Sequence, residues 1–304
     1  MANEIQWSSI KSAVGREYVA RELLGILTDQ YYIESHPCLI DVADLTASGA
    51  EIANIRDNNL NGAAAMTDLA EGGTYANSAF SANKYPVTVS QRYSQFNVSD
   101  LAKAVAPGGE LDAAAFASDA MKRRARTWTR LIAVAQASFT AAHTMTSAPT
   151  VDDLMTACQK LELAYASGAK MAILEPHQYH AIQQDAAFVQ AMNVASRSDG
   201  VIKMMELNGF AYKGRFEELN LDIFVSFYVT TASSKYVGAI FTRGGVIKAK
   251  ATPVADTPDT VVIEDMSFAQ QASTTKPETL YRSSILAGVA IAQDAAGIKF
   301  LSPT

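Results

Sequence analysis

Two histidines three apart, His177 and His180, follow Glu175 in the stretch AILEPHQYHAI. Imidazole and carboxylate are zinc ligands, but a zinc centre takes four, at least three of them from the protein. The chain has four histidines, no HExxH, and two cysteines far apart, Cys38 and Cys158, so the set is incomplete. Solvated histidines at a helix end are the plainer reading, and no metal is expected. The sequence also lacks GxSxG, GxxxxGK and GxGxxG, the short segments that present a nucleophile or cradle phosphates. It reads as a non-enzyme that carries no cofactor.

One other stretch is chemically dense: KRRARTWTR, Lys122 to Arg130, with Arg123, Arg124, Arg126 and Arg130 around Trp128. A basic helix with one indole can touch phosphates or stack on a base. The alternative is a helix face paired with acidic neighbours. The second is preferred, because residues 1–61 hold nine acidic side chains against four basic ones, a net charge of −5 that must dock somewhere. The net charge of the whole chain, −6, also argues against avid duplex binding, which depends on lysines and arginines displacing counterions.

At 304 residues and 49% hydrophobic, the chain can bury a sizeable core. Charged residues make up 18%, against roughly 25% in soluble domains, which suits a surface largely covered by neighbours. The N-terminus lacks the basic-then-apolar pattern of a secretory signal, and the sparse cysteines make a reducing cytoplasm the default expectation. No apolar run approaches the roughly 20 residues of a membrane helix.

The elements that would position these groups follow from periodicity. Residues 1–61 form an acidic arm with one amphipathic helix on Val19, Leu23, Ile26 and Leu27. Residues 62–106, rich at first in Ala, Ser, Thr, Asn and Tyr with Gly72-Gly73 in the middle, read as an extended hairpin loop. Its second half alternates Tyr85, Val87 and Val89 against Thr88, Ser90 and Arg92, with Pro86 marking an edge. Such a hairpin is too weakly apolar to stand alone. In residues 107–149 a stripe from Leu111 through Met121, Ala125, Trp128, Ile132 and Phe139 to Ala142 predicts a helix of about 33 residues, roughly 50 Å long.

Residues 150–250 alternate helix and strand. Thr150 and Asp153 make a capping box before a helix on Leu154, Cys158, Leu161 and Tyr165. Met171 to Leu174 is a buried strand, and Pro176 opens a helix that turns Tyr179 and Ile182 inward. Asp222 to Val229 and Tyr236 to Thr242 complete the strands, with Ser196 to Gly214 as a long loop. In residues 251–304, Ile285, Ala287, Val289 and Ile291 line one face of a strand. Leu286, Gly288, Ala290 and Ala292 line the other, small enough to accept the helix. A QDAAG turn and IKFL close a terminal hairpin.

This order of segments resembles the major capsid proteins of tailed bacteriophages, the Hong Kong phage fold. The resemblance covers nearly the whole chain. It is carried locally by AILEPHQYHAI (Ala172 to Ile182), YVGAIFTRGGVIKAKA (Tyr236 to Ala251) and LYRSSILAGVAIAQDAAGIKFLSPT (Leu280 to Thr304).

The resemblance implies an α+β chain with a spine helix and return strands in a peripheral domain, an inserted axial α/β domain and a projecting two-stranded loop. It implies assembly with copies of itself into hexamers and pentamers of an icosahedral shell enclosing double-stranded DNA, in a virion built in the host bacterial cytoplasm. A separate scaffolding protein, a portal and a decoration protein are the partners it suggests, with no membrane. Lys84, Tyr85, Arg92, Arg123, Arg124, Arg126, Trp128 and Arg130 are the expected inter-subunit contacts. One sequence serving five- and six-membered rings must bend, and Gly72-Gly73 and Pro107-Gly108-Gly109 are the candidate bend points. The rival within the same fold is an encapsulin shell around an enzyme cargo, and the rival outside it is a cytosolic enzyme.

Overall fold

The computed structural model describes residues 36–44, 52–58, 82–105, 113–164, 168–185, 192–193, 211–216, 218–253, 255, 260–272 and 276–304. The arm helix, both candidate bend points and residues 196–210 of the long loop lie outside them. In chain order the elements are β1 (Leu39–Asp44), β2 (Ile52–Asn58), β3 (Ala82–Thr88), β4 (Ser90–Ser99), α1 (Asp100–Val105), α2 (Ala113–Ala135), β5 (Ala142–Thr144) and α3 (Val151–Leu163). There follow β6 (Lys170–Leu174), α4 (Pro176–Gln183), β7 (Met192–Asn193), β8 (Ala211–Phe216), β9 (Leu221–Val225), β10 (Thr231–Ala232) and β11 (Lys235–Thr242). The chain ends with β12 (Val246–Lys250), β13 (Thr260–Ile263), β14 (Met266–Ala272), β15 (Glu278–Ile291) and β16 (Gly297–Pro303).

Continuous apolar runs make the larger sheet. Its order is β5-β16-β11-β6-β9-β8-β7, with β10 added to β11. Every residue of β6 and β9 is buried, as expected where helices cover a sheet. Helix α3 turns Leu154, Ala157, Cys158 and Leu161 onto it, and α4 turns Tyr179 and Ile182. Both helices start where the sequence says they should. Thr150 Oγ1 accepts from Asp153 N at 3.3 Å while Asp153 Oδ2 accepts from Thr150 N at 2.9 Å, and Pro176 opens α4 behind its N-cap Glu175.

Alternating residues make the other sheet, ordered β1-β12-β15-β14-β13, with β4 also paired to β15. Helix α2 packs on it: Trp128 meets Ile285 and Ala287, and Met121 joins Met266, Phe268 and Tyr281. A further cluster, including Ile132, Phe139, Met171, Phe241 and Val246, ties the two sheets into one core. Strands β2 and β3 pair with each other, from Ile52 opposite Thr88 to Asn58 opposite Ala82. Strand β2 thus falls inside the segment read as the arm.

Five expectations are corrected. The long helix stops at Ala135, not Ala142: a 3-10 turn at Gln136–Ser138 follows, and Phe139 is extended at φ −56° and ψ 141°. The apolar spacing continues, but Phe139 enters the core from extended chain and Ala142–Thr144 pair with β16. The helix rests on the Ile285–Ala287 face of β15, not the small-residue face. A Cβ on Gly288 would lie 2.3 Å from the Thr88 carbonyl, so the passage from β3 to β4 takes the small face.

Strand β16 forms no terminal hairpin with β15. It pairs with β11 over seven residues, because the turn Asp294–Ala296 and Gly297 redirect the chain and bury Ile298 and Phe300 in the larger core. Ala211–Phe216 is a strand beside β9 rather than loop, bulged between Tyr212 and Gly214, where glycine takes φ 133°. Finally, β12 joins the second sheet, so a break near Lys250 comes one strand later than the sheets divide.

Candidate functional site

The basic stretch of α2 splits by side. Arg124 and Trp128, four apart, turn inward onto Asp265 at the β13–β14 turn. Arg124 Nε donates to Asp265 Oδ1 at 2.7 Å and Trp128 Nε1 donates to Oδ2 at 2.8 Å. Asp265 is fully buried, and Arg124 and Trp128 are 6% and 3% exposed. Glu264 lies 3.6 Å from the Arg124 guanidinium. The acidic neighbours of this arginine therefore belong to a hairpin of the same chain. Both carboxylate oxygens of Asp265 are occupied, which is what makes a buried charge tolerable.

Arg123, Arg126 and Arg130 face outward and are exposed. Arg123 Nε donates to Asp119 Oδ2 at 2.6 Å and its NH1 to Ser94 Oγ at 2.8 Å. Arg126 and Arg130 meet no carboxylate among the described residues. Arg92, on β4, donates to the Ala287 and Ser90 carbonyls at 2.8 and 3.2 Å. Its partial burial, and secondarily the positive charge of Arg130, hold its guanidinium below the usual range. Between α2, β4 and β15 lies a cleft of about 80 Å³ bordered by Arg92, Arg123, Ser94, Thr127, Ser283 and Ser284.

The structure thus gathers Arg92, Arg123, Arg126 and Arg130 along one side of α2 and β4 and takes Arg124 and Trp128 inside. Lys84 and Tyr85 stand apart on β3, opposite Arg56 and Ile55. Sequence reasoning missed Asp265. Its signal was the pair Glu264-Asp265 between two apolar runs, a turn carrying a carboxylate that a buried arginine requires.

The remaining reactive groups are committed to structure. His177 Nδ1 lies 3.0 Å from Glu175 Oε1, and its ring stacks on Tyr236 at 5.4 Å. His180 Nδ1 lies 3.1 Å from Gln183 Oε1. His36 Nδ1 accepts from the Cys38 N–H at 3.3 Å, while its Nε2 sits 3.2 Å from Asp222 Oδ2. The Cys38 thiol instead points to the Ala169 carbonyl, 3.2 Å away, so no thiol–imidazole pair forms. Burial, reinforced by Asp222, pushes that thiol up to about 12, and burial pushes Cys158 equally to about 12. Neither supplies a thiolate nucleophile at neutral pH. Among the described residues no group of three His, Cys, Asp or Glu could hold a metal, and no helix is long and apolar enough to cross a membrane.

No family model matches the chain, and no curated protein does. Solved structures do. The capsid of Ralstonia phage GP4 matches at TM-score 0.61 and 10% identity, over 90% of this chain and 91% of that one. The holo-SrpI encapsulin complex from Synechococcus elongatus PCC 7942 matches at TM-score 0.58 and 12% identity, over 89% and 86%. The capsid of Cyanophage P-SCSP1u matches at 0.56 and 12%, over 90% and 88%. The chain is an α+β protein with the fold of these phage capsid and encapsulin subunits. More particularly, the fold is the Hong Kong phage capsid fold, which the encapsulin also resembles.

Proposed function

We propose that this chain is the major capsid protein of a tailed bacteriophage, assembling with itself into the hexamers and pentamers of an icosahedral shell around double-stranded DNA. The observation that carries this is coverage: about nine tenths of this chain aligns with about nine tenths of a phage capsid chain, so the likeness is to a whole shell subunit. In this reading the larger sheet with α3 and α4 is the axial domain, the sheet under α2 is the peripheral domain, and β2–β3 belong to the projecting loop. Arg92, Arg123, Arg126 and Arg130, with Lys84 and Tyr85 on the loop, contact neighbouring subunits, whereas Arg124 and Trp128 act within the subunit. Scaffolding protein, portal and decoration protein are its further partners, and the virion, assembled in the bacterial cytoplasm, is its destination.

The second reading, an encapsulin shell, is favoured by the likeness to the SrpI complex at a similar TM-score. Analysis of the contents of purified particles separates the two. Nucleic acid of uniform length supports the phage capsid. A stoichiometric enzyme cargo without nucleic acid contradicts it and establishes the encapsulin.

A further inference from the structure

Strand β4 has one edge on β15 from Ser90 to Ser99, and among the described residues no strand pairs with the other. Among the described residues that leaves a ten-residue edge whose outward backbone donors and acceptors have no strand partner. Protective devices are few. The strand holds no proline, glycine or lysine, and Arg92 is its one charge. Its outward side chains Gln91, Tyr93, Gln95, Asn97 and Ser99 are exposed and uncharged, with Tyr93 at 74%. An exposed tyrosine on an unguarded edge is what an added strand would cover.

Beside this edge lies the cleft, lined by Arg92 and Arg123, by Arg124 already held by Asp265, and by the hydroxyls of Ser94, Thr127, Ser283 and Ser284. At about 80 Å³ it suits a carboxylate-sized group. Arg123 is paired with Asp119, whereas Arg92 in the cleft and the exposed Arg130, on the same helix as Arg123, meet no carboxylate among the described residues. A cation without a counter-charge is relieved by an incoming anion. The chain itself supplies the complement: residues 22–35, ahead of the paired strand β1, carry three carboxylates and no lysine or arginine.

We propose that the open edge of β4 and the arginine cleft beside it form one docking surface, which receives an extended, carboxylate-bearing strand from a second copy of this chain. The strand completes the sheet by backbone pairing, and its carboxylate enters the cleft. A phosphate backbone satisfies the arginines but has nothing to offer the β4 edge, so the two features together select a polypeptide. The inference rests on the shell reading and gives it an atomic contact.

The test compares the full chain with its Arg123→Glu/Arg130→Glu variant, both substitutions being at exposed positions, with thermal melts establishing that both fold. In sedimentation velocity the wild type forms shells, and the variant is expected to lose shell formation by about tenfold or more. A second measurement needs no variant. Hydrogen exchange of alternate amides in Ser90–Ser99 should slow about tenfold or more in shells relative to free subunits. Equal exchange in the two states, or a folded variant that assembles like wild type, overturns the docking surface and leaves the shell function standing. Assembly retained with loss of nucleic acid overturns it in favour of a phosphate site. Failure of the wild type to form any shell removes both.

Discussion

The two sheets of this molecule are finished to different degrees. In the larger one, β6 and β9 are buried along their whole length and α3 and α4 close over them. In the smaller one, β4 alternates between partly buried and exposed residues, and its outer edge is open among the described residues. Among the described residues, one layer therefore has its central strands buried throughout, and the other keeps a long strand half exposed at its rim. The helix side of the smaller sheet is sealed by the Asp265 clamp and the Trp128 contacts. What differs, among the described residues, is which interactions a single copy satisfies, and the proposed shell assembly would draw on both kinds.

The largest effect expected within a single subunit comes from that clamp. Asp265→Ala leaves the buried Arg124 guanidinium and the Trp128 indole N–H without their shared acceptor. The expected loss is about 3–5 kcal/mol in denaturant unfolding of free subunits. A loss below about 1 kcal/mol would mean that the helix is not held to the sheet in this way. Next is the junction between the layers. A Cβ on Gly297 would lie 2.1 Å from the ring of Phe139, itself wholly buried, so Gly297→Ala must displace a core aromatic. The expected cost is about 1–3 kcal/mol with a single transition by two spectroscopic probes. Two separate transitions would show that the sheets unfold independently and would sharpen the contrast between them.

These two sites also show what was legible beforehand. The α2 stripe from Met121 to Ile132, the capping box, the β6 run and the Pro176 start are local signals, and each is found in place. The end of α2 was hidden because Phe139 continues the apolar period while the chain has already left the helix. The partner of β16 was hidden because alternation tells which side chains share a face and not which strand lies alongside. In the basic stretch, charge grouped Arg124 with the expected inter-subunit contacts. Its position four residues before Trp128 put it on the buried side, and only the distant Asp265 makes that placement stable.

Smaller effects test the larger sheet. Thr150→Ala removes half of the α3 capping box at an expected cost of about 1 kcal/mol at neutral pH. Burial alone would raise the Asp153 carboxyl, but hydrogen bonds from His143 and Thr150 together outweigh it and hold the group below the usual range. A depressed carboxyl stabilises the fold above its unfolded value near pH 4 and ceases to as pH falls through the lower folded value. The penalty of Thr150→Ala should therefore shrink below about pH 4, and a constant penalty would contradict the ionised box. The smallest expected signal is from Cys38 and Cys158. With both thiols pushed to about 12, alkylation at pH 8 should be negligible until the subunit unfolds. Rapid labelling of either in the native protein would show a looser core than described.

The central claim, that this subunit is made to close a shell with its own copies, is tested most directly by electron microscopy of the purified chain, with light scattering across a concentration series. Closed particles of uniform diameter, or rings of five and six subunits, are the expected images. A monodisperse monomer persisting at the highest concentrations, with no rings and no shells, would contradict it.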